Sequence, residues 1–254
     1  MLKEEVISTG IEKLDKLLEG GIPKGFTTII VGNPGSGIEI LCKQLASTGS
    51  VLFFSTEEVQ DEIVKIMDKF GWSSENIDFV DMAGEHSHAI LDDEQNRINI
   101  HGQRTKVSIQ ELIEAGSSMS YYSKKNEYDF LTVFSDKVAN SEPEKIILYS
   151  LDFFLDKYDQ DDVLRTIYAA KIRNLENNGA FFIFMTRGIH GEIFERKMEG
   201  LADCILELDV DQKGSAFERF IAVKKMRNYA KKIGIARYTI DSAGFTLEMI
   251  ERIM

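Results

Sequence analysis

Apolar positions along the chain fall into two textures: short unbroken runs rich in Val, Ile and Phe, and longer stretches in which they recur every three or four residues. The first texture predicts strands buried on both faces and the second predicts helices that cover them, so the fold class is α/β with a mostly parallel sheet. Near the start, Ile11, Leu14, Leu17 and Leu18 share one helical face, with Ser8 and Thr9 as cap-like residues before it and Gly20-Gly21 ahead of Pro23 as its stop. The run over 26–31 predicts a strand, Gly32-Asn33-Pro34-Gly35-Ser36-Gly37 a glycine-rich turn, and 38–46 a helix. Further strands are predicted over 51–54, 77–80, 145–151 and 180–186, and Ile63, Ile66, Met67 and Phe70 mark the inner face of a helix after the first of these. Helical periodicity returns over 109–113 and 128–138. Between His86 and Arg104 it fades, and this predicts a long polar surface loop with a short strand over 97–100. After Gly200, alternation over 204–208, 217–224 and 237–240 predicts antiparallel strands added at one sheet edge. No repeat, low-complexity tract or linker divides the chain, so residues 1–254 read as one domain with a divergent polar region around 85–119.

Composition narrows the function. The net charge of −12 leaves no broad basic face for nucleic acid or anionic lipid, and 43% hydrophobic residues exclude disorder. Cys42 and Cys204 are the only cysteines, too few for a thiolate zinc site, and neither a signal-peptide pattern nor a membrane-length apolar run is present. A reduced, soluble, cytoplasmic protein is expected.

The glycine turn carries the strongest chemistry. A phosphate loop is Gly, four residues, Gly, Lys, then Ser or Thr, because backbone N–H groups cradle phosphates, the Lys reaches the β and γ phosphates, and the hydroxyl binds magnesium. Gly32 and Gly37 have that spacing, but Ile38 and Glu39 follow. The phosphate-binding cation and the metal-binding hydroxyl are both missing, and Glu39 puts a negative charge where a triphosphate would lie. Glu39 also complements the helix dipole and can stand in for a phosphate at the free N–H groups.

Ser8-Thr9-Gly10-Ile11 with Leu14-Asp15, Gly20-Gly21-Ile22-Pro23-Lys24-Gly25 and the glycine loop together resemble the opening of the KaiC- and RadA-like branch of the RecA ATPase superfamily. The resemblance continues through 53–58 to Gly200-Leu201-Ala202-Asp203 and Lys225-Met226-Arg227, and single-domain archaeal KaiC-like proteins look most similar. It implies a RecA-like P-loop NTPase fold in which two adjacent glutamates after the second strand polarise the attacking water, a place held by Glu57 and Glu58. It also implies an Asp that holds magnesium through water at the end of the strand containing 146–148, where this chain has Tyr149-Ser150. Asp152, three residues beyond Tyr149, falls on the opposite face of a continuing strand and is not expected to replace that Asp. Lys225 and Arg227 match residues that in the family reach a neighbouring subunit's γ phosphate, which implies subunit packing.

Ile38, Glu39 and Tyr149 all alter contacts to the same magnesium triphosphate, whose hydrolysis depends mostly on positioning and charge stabilisation. The expectation is a non-hydrolysing, pseudo-ATPase member that regulates or scaffolds through self-association or protein binding. Magnesium is not expected, while ATP or ADP in the cavity stays open. Two alternatives also stay open: a weak NTPase or nucleotide sensor using Glu57-Glu58 with Lys225 or Arg227 in trans, and a single-stranded DNA binder using the patch over 224–232. His86, His88, Asp92 and Asp93 fit a metal cluster if His-x-His lies on a strand, but a solvated polar loop explains them more simply, and no metal site is assigned. Ser36 or Ser150 with His190 lacks the surrounding pattern of a nucleophile elbow.

Overall fold

The computed structural model describes residues 5–104, 128–213, 216–228 and 234–248. Nine strands form one sheet in the order β11-β10-β9-β8-β3-β7-β6-β4-β5. They are β3 (Thr27–Gly32), β4 (Val51–Ser55), β5 (Ile77–Asp81), β6 (Lys145–Tyr149), β7 (Ala180–Thr186), β8 (Cys204–Lys213), β9 (Ala216–Met226), β10 (Ile235–Asp241) and β11 (Gly244–Glu248). The stretch from β8 to β5 is parallel throughout, and β9, β10 and β11 extend it as an antiparallel meander. β1 (Val6–Ile7) and β2 (Ile22–Pro23) pair separately. The central strands are wholly buried because helices cover both faces, which is why Val-Leu-Phe-Phe-Ser and Ala-Phe-Phe-Ile-Phe-Met read as unbroken apolar runs.

On one face α1 (Glu12–Leu17), α2 (Ile38–Ala46) and α3 (Gln60–Lys69) close a core that includes Leu41, Leu45, Phe53, Phe182 and Phe245. On the other face lie α5 (Phe130–Ala139), α6 (Asp152–Lys157), α7 (Gln160–Glu176) and α8 (Glu192–Leu201), around Phe54, Phe134, Phe181, Ile183 and Ile167. The start of α4 (Met82–Arg104) joins that second core through Met82.

Three expectations change. The segment from His86 to Arg104 is helical as part of α4, including the residues read as a short strand over 97–100. Met82 and Ala83 are buried, whereas Ile90 and Leu91 are half or more exposed, so over 84–95 the helix turns no apolar stripe inward that would leave a period to read. On a helix His86 and His88 point to different sides. His86 instead meets Lys157 Nζ at 3.1 Å and the edges of Phe130 and Phe153, and burial, then Lys157, lower its pKa. Ser8 and Thr9 do not cap α1 directly: both hydroxyls donate to Asp15, and Ile11 is the residue that enters the helix. The helical reading over 109–113 lies outside the described residues.

Candidate functional site

β3 ends at Gly32 in the middle of the parallel strands, with β7 on one side and β8 on the other. Crevices at the carboxyl ends of such strands are where open α/β sheets bind ligands. The turn from β3 into α2 needs its glycines. Gly37 has a φ of +79°, and a β-carbon there would lie 2.0 Å from Ile240 Cδ1. A β-carbon on Gly32 would come within 2.8 Å of Ser36 Oγ.

The antiparallel meander straps this loop from outside. Tyr238 Oη donates to Ser36 O at 2.5 Å, Arg219 Nε donates to Gly35 O at 3.1 Å, and Asn33 Nδ2 donates to Asp209 Oδ1 at 3.3 Å. Within the loop, Ser36 N donates to Asn33 O at 3.0 Å. Burial pushes the Tyr238 pKa well above the usual phenol range, so the phenol keeps its proton and remains a donor.

Beside the loop lies a cleft of about 200 Å³, lined by Gly32, Asn33, Pro34, Gly35, Ile38 and Glu39 from the loop and α2, by Glu57, by Tyr149, Ser150 and Asp152, and by Met185 and Thr186. The three carboxylates come from three places: the first turn of α2, the loop after β4, and the first turn of α6. Asp152 therefore does reach the site, contrary to the strand-alternation expectation. The strand ends at Tyr149 and α6 begins at Asp152, so the change of backbone conformation re-aims the side chain. Thr186 N donates to both Asp152 oxygens, at 2.9 and 3.2 Å, and His190 Nε2 lies 2.6 Å from Oδ1. The Tyr149–Ser150 peptide is cis.

The two adjacent glutamates part company. Glu57 faces the cleft and accepts a hydrogen bond from Ser150 Oγ. Glu58 turns to Lys43, whose ammonium is 2.6 Å from Oε1, also donates to Glu39 O at 3.3 Å, and is itself buried at 2% side-chain exposure. Tyr149, in the place where the resemblance implies an Asp, is held between sheet and cleft, its ring 5.8 Å from Lys43 Nζ and edge-on to Phe184. Burial, then negative charge around it that includes Glu57, Glu58 and Glu39, keeps its phenol protonated well beyond the usual range.

Lys225 and Arg227 lie elsewhere. β9 runs antiparallel to β8, so Met226 pairs with Cys204 at the end of the sheet opposite the glycine loop. Lys225 Nζ donates to Glu199 O at 2.7 Å, and burial, then Arg227, lower its pKa; Arg227 pairs with Asp203 at 2.9 Å. Lys224 is likewise paired, with Glu199 and Glu207. The rest of the basic patch, Lys231 and Lys232, lies outside the described residues. Neither serine meets His190: Ser150 is committed to Glu57, and Ser36 Oγ is fully buried without a partner. Among the described residues, no group of three or more His, Cys, Asp or Glu is placed to hold a metal ion, and no helix is long and apolar enough to cross a membrane.

A glycine loop between strand and helix, set at the carboxyl edge of a mostly parallel sheet with an antiparallel extension, defines a RecA-like P-loop fold. The family model for the ATPase KaiC matches residues 7–251, and the chain belongs to that family. It is 25% identical to a UPF0273 protein of Sulfurisphaera tokodaii over 92% of this chain and 78% of that one. It is equally identical, 25%, to a UPF0273 protein of Methanocaldococcus jannaschii over 94% of both chains. Among solved structures it is similar to a KaiC-like protein of Pyrococcus horikoshii, with a TM-score of 0.69 and 16% identity over 97% of this chain and all of that one.

A magnesium triphosphate does not fit the residues present. Among the described residues no lysine or arginine lines the cleft, a carboxylate replaces the metal-binding hydroxyl, and the nearby Lys43 is turned to Glu58.

Proposed function

We propose that this KaiC-family protein does not hydrolyse ATP by the magnesium-dependent route and acts as a regulatory or scaffolding module, through self-association or by binding another protein. The observation that carries this reading is the lining of the cleft: Ile38 and Glu39 replace the loop's cation and metal-binding hydroxyl, and among the described residues no lysine or arginine lines the cleft to offset Glu39, Glu57 and Asp152. The position of Lys225 and Arg227 at the other end of the sheet, away from their own glycine loop, supports a contact with a second copy. The pairing of Lys224, Lys225 and Arg227 within the chain argues against the single-stranded DNA reading.

Calorimetric titration of ATP and ADP, with and without magnesium, tests this. The expected outcome is no binding by the native chain and measurable binding by an Ile38→Lys, Glu39→Thr double variant that restores the missing cation and hydroxyl. Saturable magnesium-dependent binding by the native chain overturns the reading.

One observation favours a second reading, a weak NTPase. Asp152 does face the cleft and supplies a carboxylate near the end of β6. Slow magnesium-dependent phosphate release, lost in Glu57→Gln and in Asp152→Asn, is what that reading requires.

A further inference from the structure

The outer face of α7 carries an apolar stripe that neither the core nor the cleft uses. Resting on the reading of this chain as a self-associating module, we propose that two copies pair through α7, antiparallel about a two-fold axis.

Val163, Ile167, Ala170 and Asn174 are the buried face of this helix. On the opposite side Tyr168, Ile172 and Leu175, spaced by four and then three residues, are 57%, 44% and 59% exposed, and exposed Ala169 lies beside them. Single exposed apolar residues are ordinary, but three on successive turns make a patch, and among the described residues no other helix exposes three large apolar side chains. A stripe with this spacing is the contact face of a helix that packs on another helix.

The charges at its ends say which helix. Arg165 stands one turn before Ala169 and Glu176 one turn after Ile172, so the row 165, 169, 172, 176 follows the outer face with opposite charges equally far from its middle. A second α7 turned end for end about that middle sets Arg165 against the partner's Glu176 at both ends. Between them Ala169 meets the partner's Ile172, small against large. A two-fold contact has to be self-complementary in this way, whereas an unrelated partner imposes no such match. Tyr168 and Leu175 lie to the same side of the row, so those of the two copies close one apolar strip beside it. Within the chain Arg165 meets Asp162 at 3.4 Å and Glu176 meets Arg173 at 3.6 Å; exposed pairs of this kind contribute little and leave both ends able to re-pair.

Sedimentation equilibrium of the full chain over a range of concentrations tests the proposal. A monomer–dimer equilibrium is expected, weakened about a hundredfold by Ile172→Asp, because the symmetry counts the substitution twice. Arg165→Glu and Glu176→Arg, each alone, set like charges against each other at both ends and weaken association about tenfold or more. An equimolar mixture of these two variants restores it, since every contact between the unlike chains then pairs opposite charges. All three residues are exposed and none lines the cleft, so the variants keep the native fold and its nucleotide response. A chain that stays monomeric at every concentration overturns the proposal and leaves binding of another protein as the remaining form of the functional reading. Association that Ile172→Asp leaves unchanged, or a mixture no stronger than either variant alone, overturns α7 as the contact while self-association through another surface stands. Failure of the pseudo-ATPase reading is seen separately, as saturable magnesium-dependent nucleotide binding.

Discussion

Lys43 is the residue on which the altered chemistry turns. It lies four residues after Glu39, one turn further along α2, and its buried ammonium closes on Glu58 instead of facing the cleft. Breaking one side of a buried pair leaves an uncompensated charge, so Lys43→Met should cost about 3 kcal/mol of stability. Adding Glu58→Leu should recover most of that, since a desolvated pair replaced by packed apolar groups is often close to neutral. Chemical denaturation of the two single variants and the double variant measures the coupling, and additive losses would show that the pair contributes nothing as a pair. Sequence spacing gave no sign of this: the resemblance placed Glu57 and Glu58 together, and only the position of Lys43 on the inner face of α2 separates them.

At the scale of elements, the meander from β8 to β10 grips the glycine loop through Asp209, Arg219 and Tyr238. Removing the Tyr238 hydroxyl with Tyr238→Phe takes away one buried hydrogen bond, worth about 1 kcal/mol. Amide hydrogen exchange over 33–37 should speed up in that variant while the amides of β4 and β7 stay protected; unchanged loop exchange would mean the strap does not hold the loop. The antiparallel edge itself was readable from alternation after Gly200, whereas its contact with the loop was not, because residues some two hundred positions apart leave no periodic trace. Two other elements escaped for local reasons. α4 lacks an inward apolar stripe over 84–95, and Asp152 was judged by the period of a strand that ends three residues earlier.

At the scale of the molecule, the parallel sheet was legible because its strands are covered on both sides and therefore uniformly apolar, with β3, β4, β6 and β7 standing out. One buried charged residue within them contributes to the response to pH. Lys145 opens β6 fully buried, and its ammonium donates to Leu45 O, Thr48 O and Thr48 Oγ1 at the carboxyl end of α2. Burial lowers its pKa from 10.5 to about 8. The unfolded chain keeps that proton up to its ordinary pKa while the folded chain releases it earlier, so between these values the unfolded state binds more protons and this residue's contribution to stability rises with pH. Buried Tyr149 and Cys42 act oppositely in the alkaline range because their folded pKa values are raised. The measurement is therefore the difference between the native chain and Lys145→Met, which should shift in the native chain's favour by about 2 kcal/mol from pH 7 to 9.5. A difference that stays flat over that range would mean the lysine titrates normally.

The strap on the glycine loop also bears on the entropy of binding. Fixing a backbone residue costs about 1–2 kcal/mol of conformational entropy, and here the fold itself holds the loop's carbonyls through Tyr238 and Arg219 before any ligand arrives. A ligand that accepts the loop's present shape is spared that loss and can bind with few contacts. One that needs the loop to open must first break the bonds to the meander, so the strands at the sheet edge discriminate between ligands they never touch.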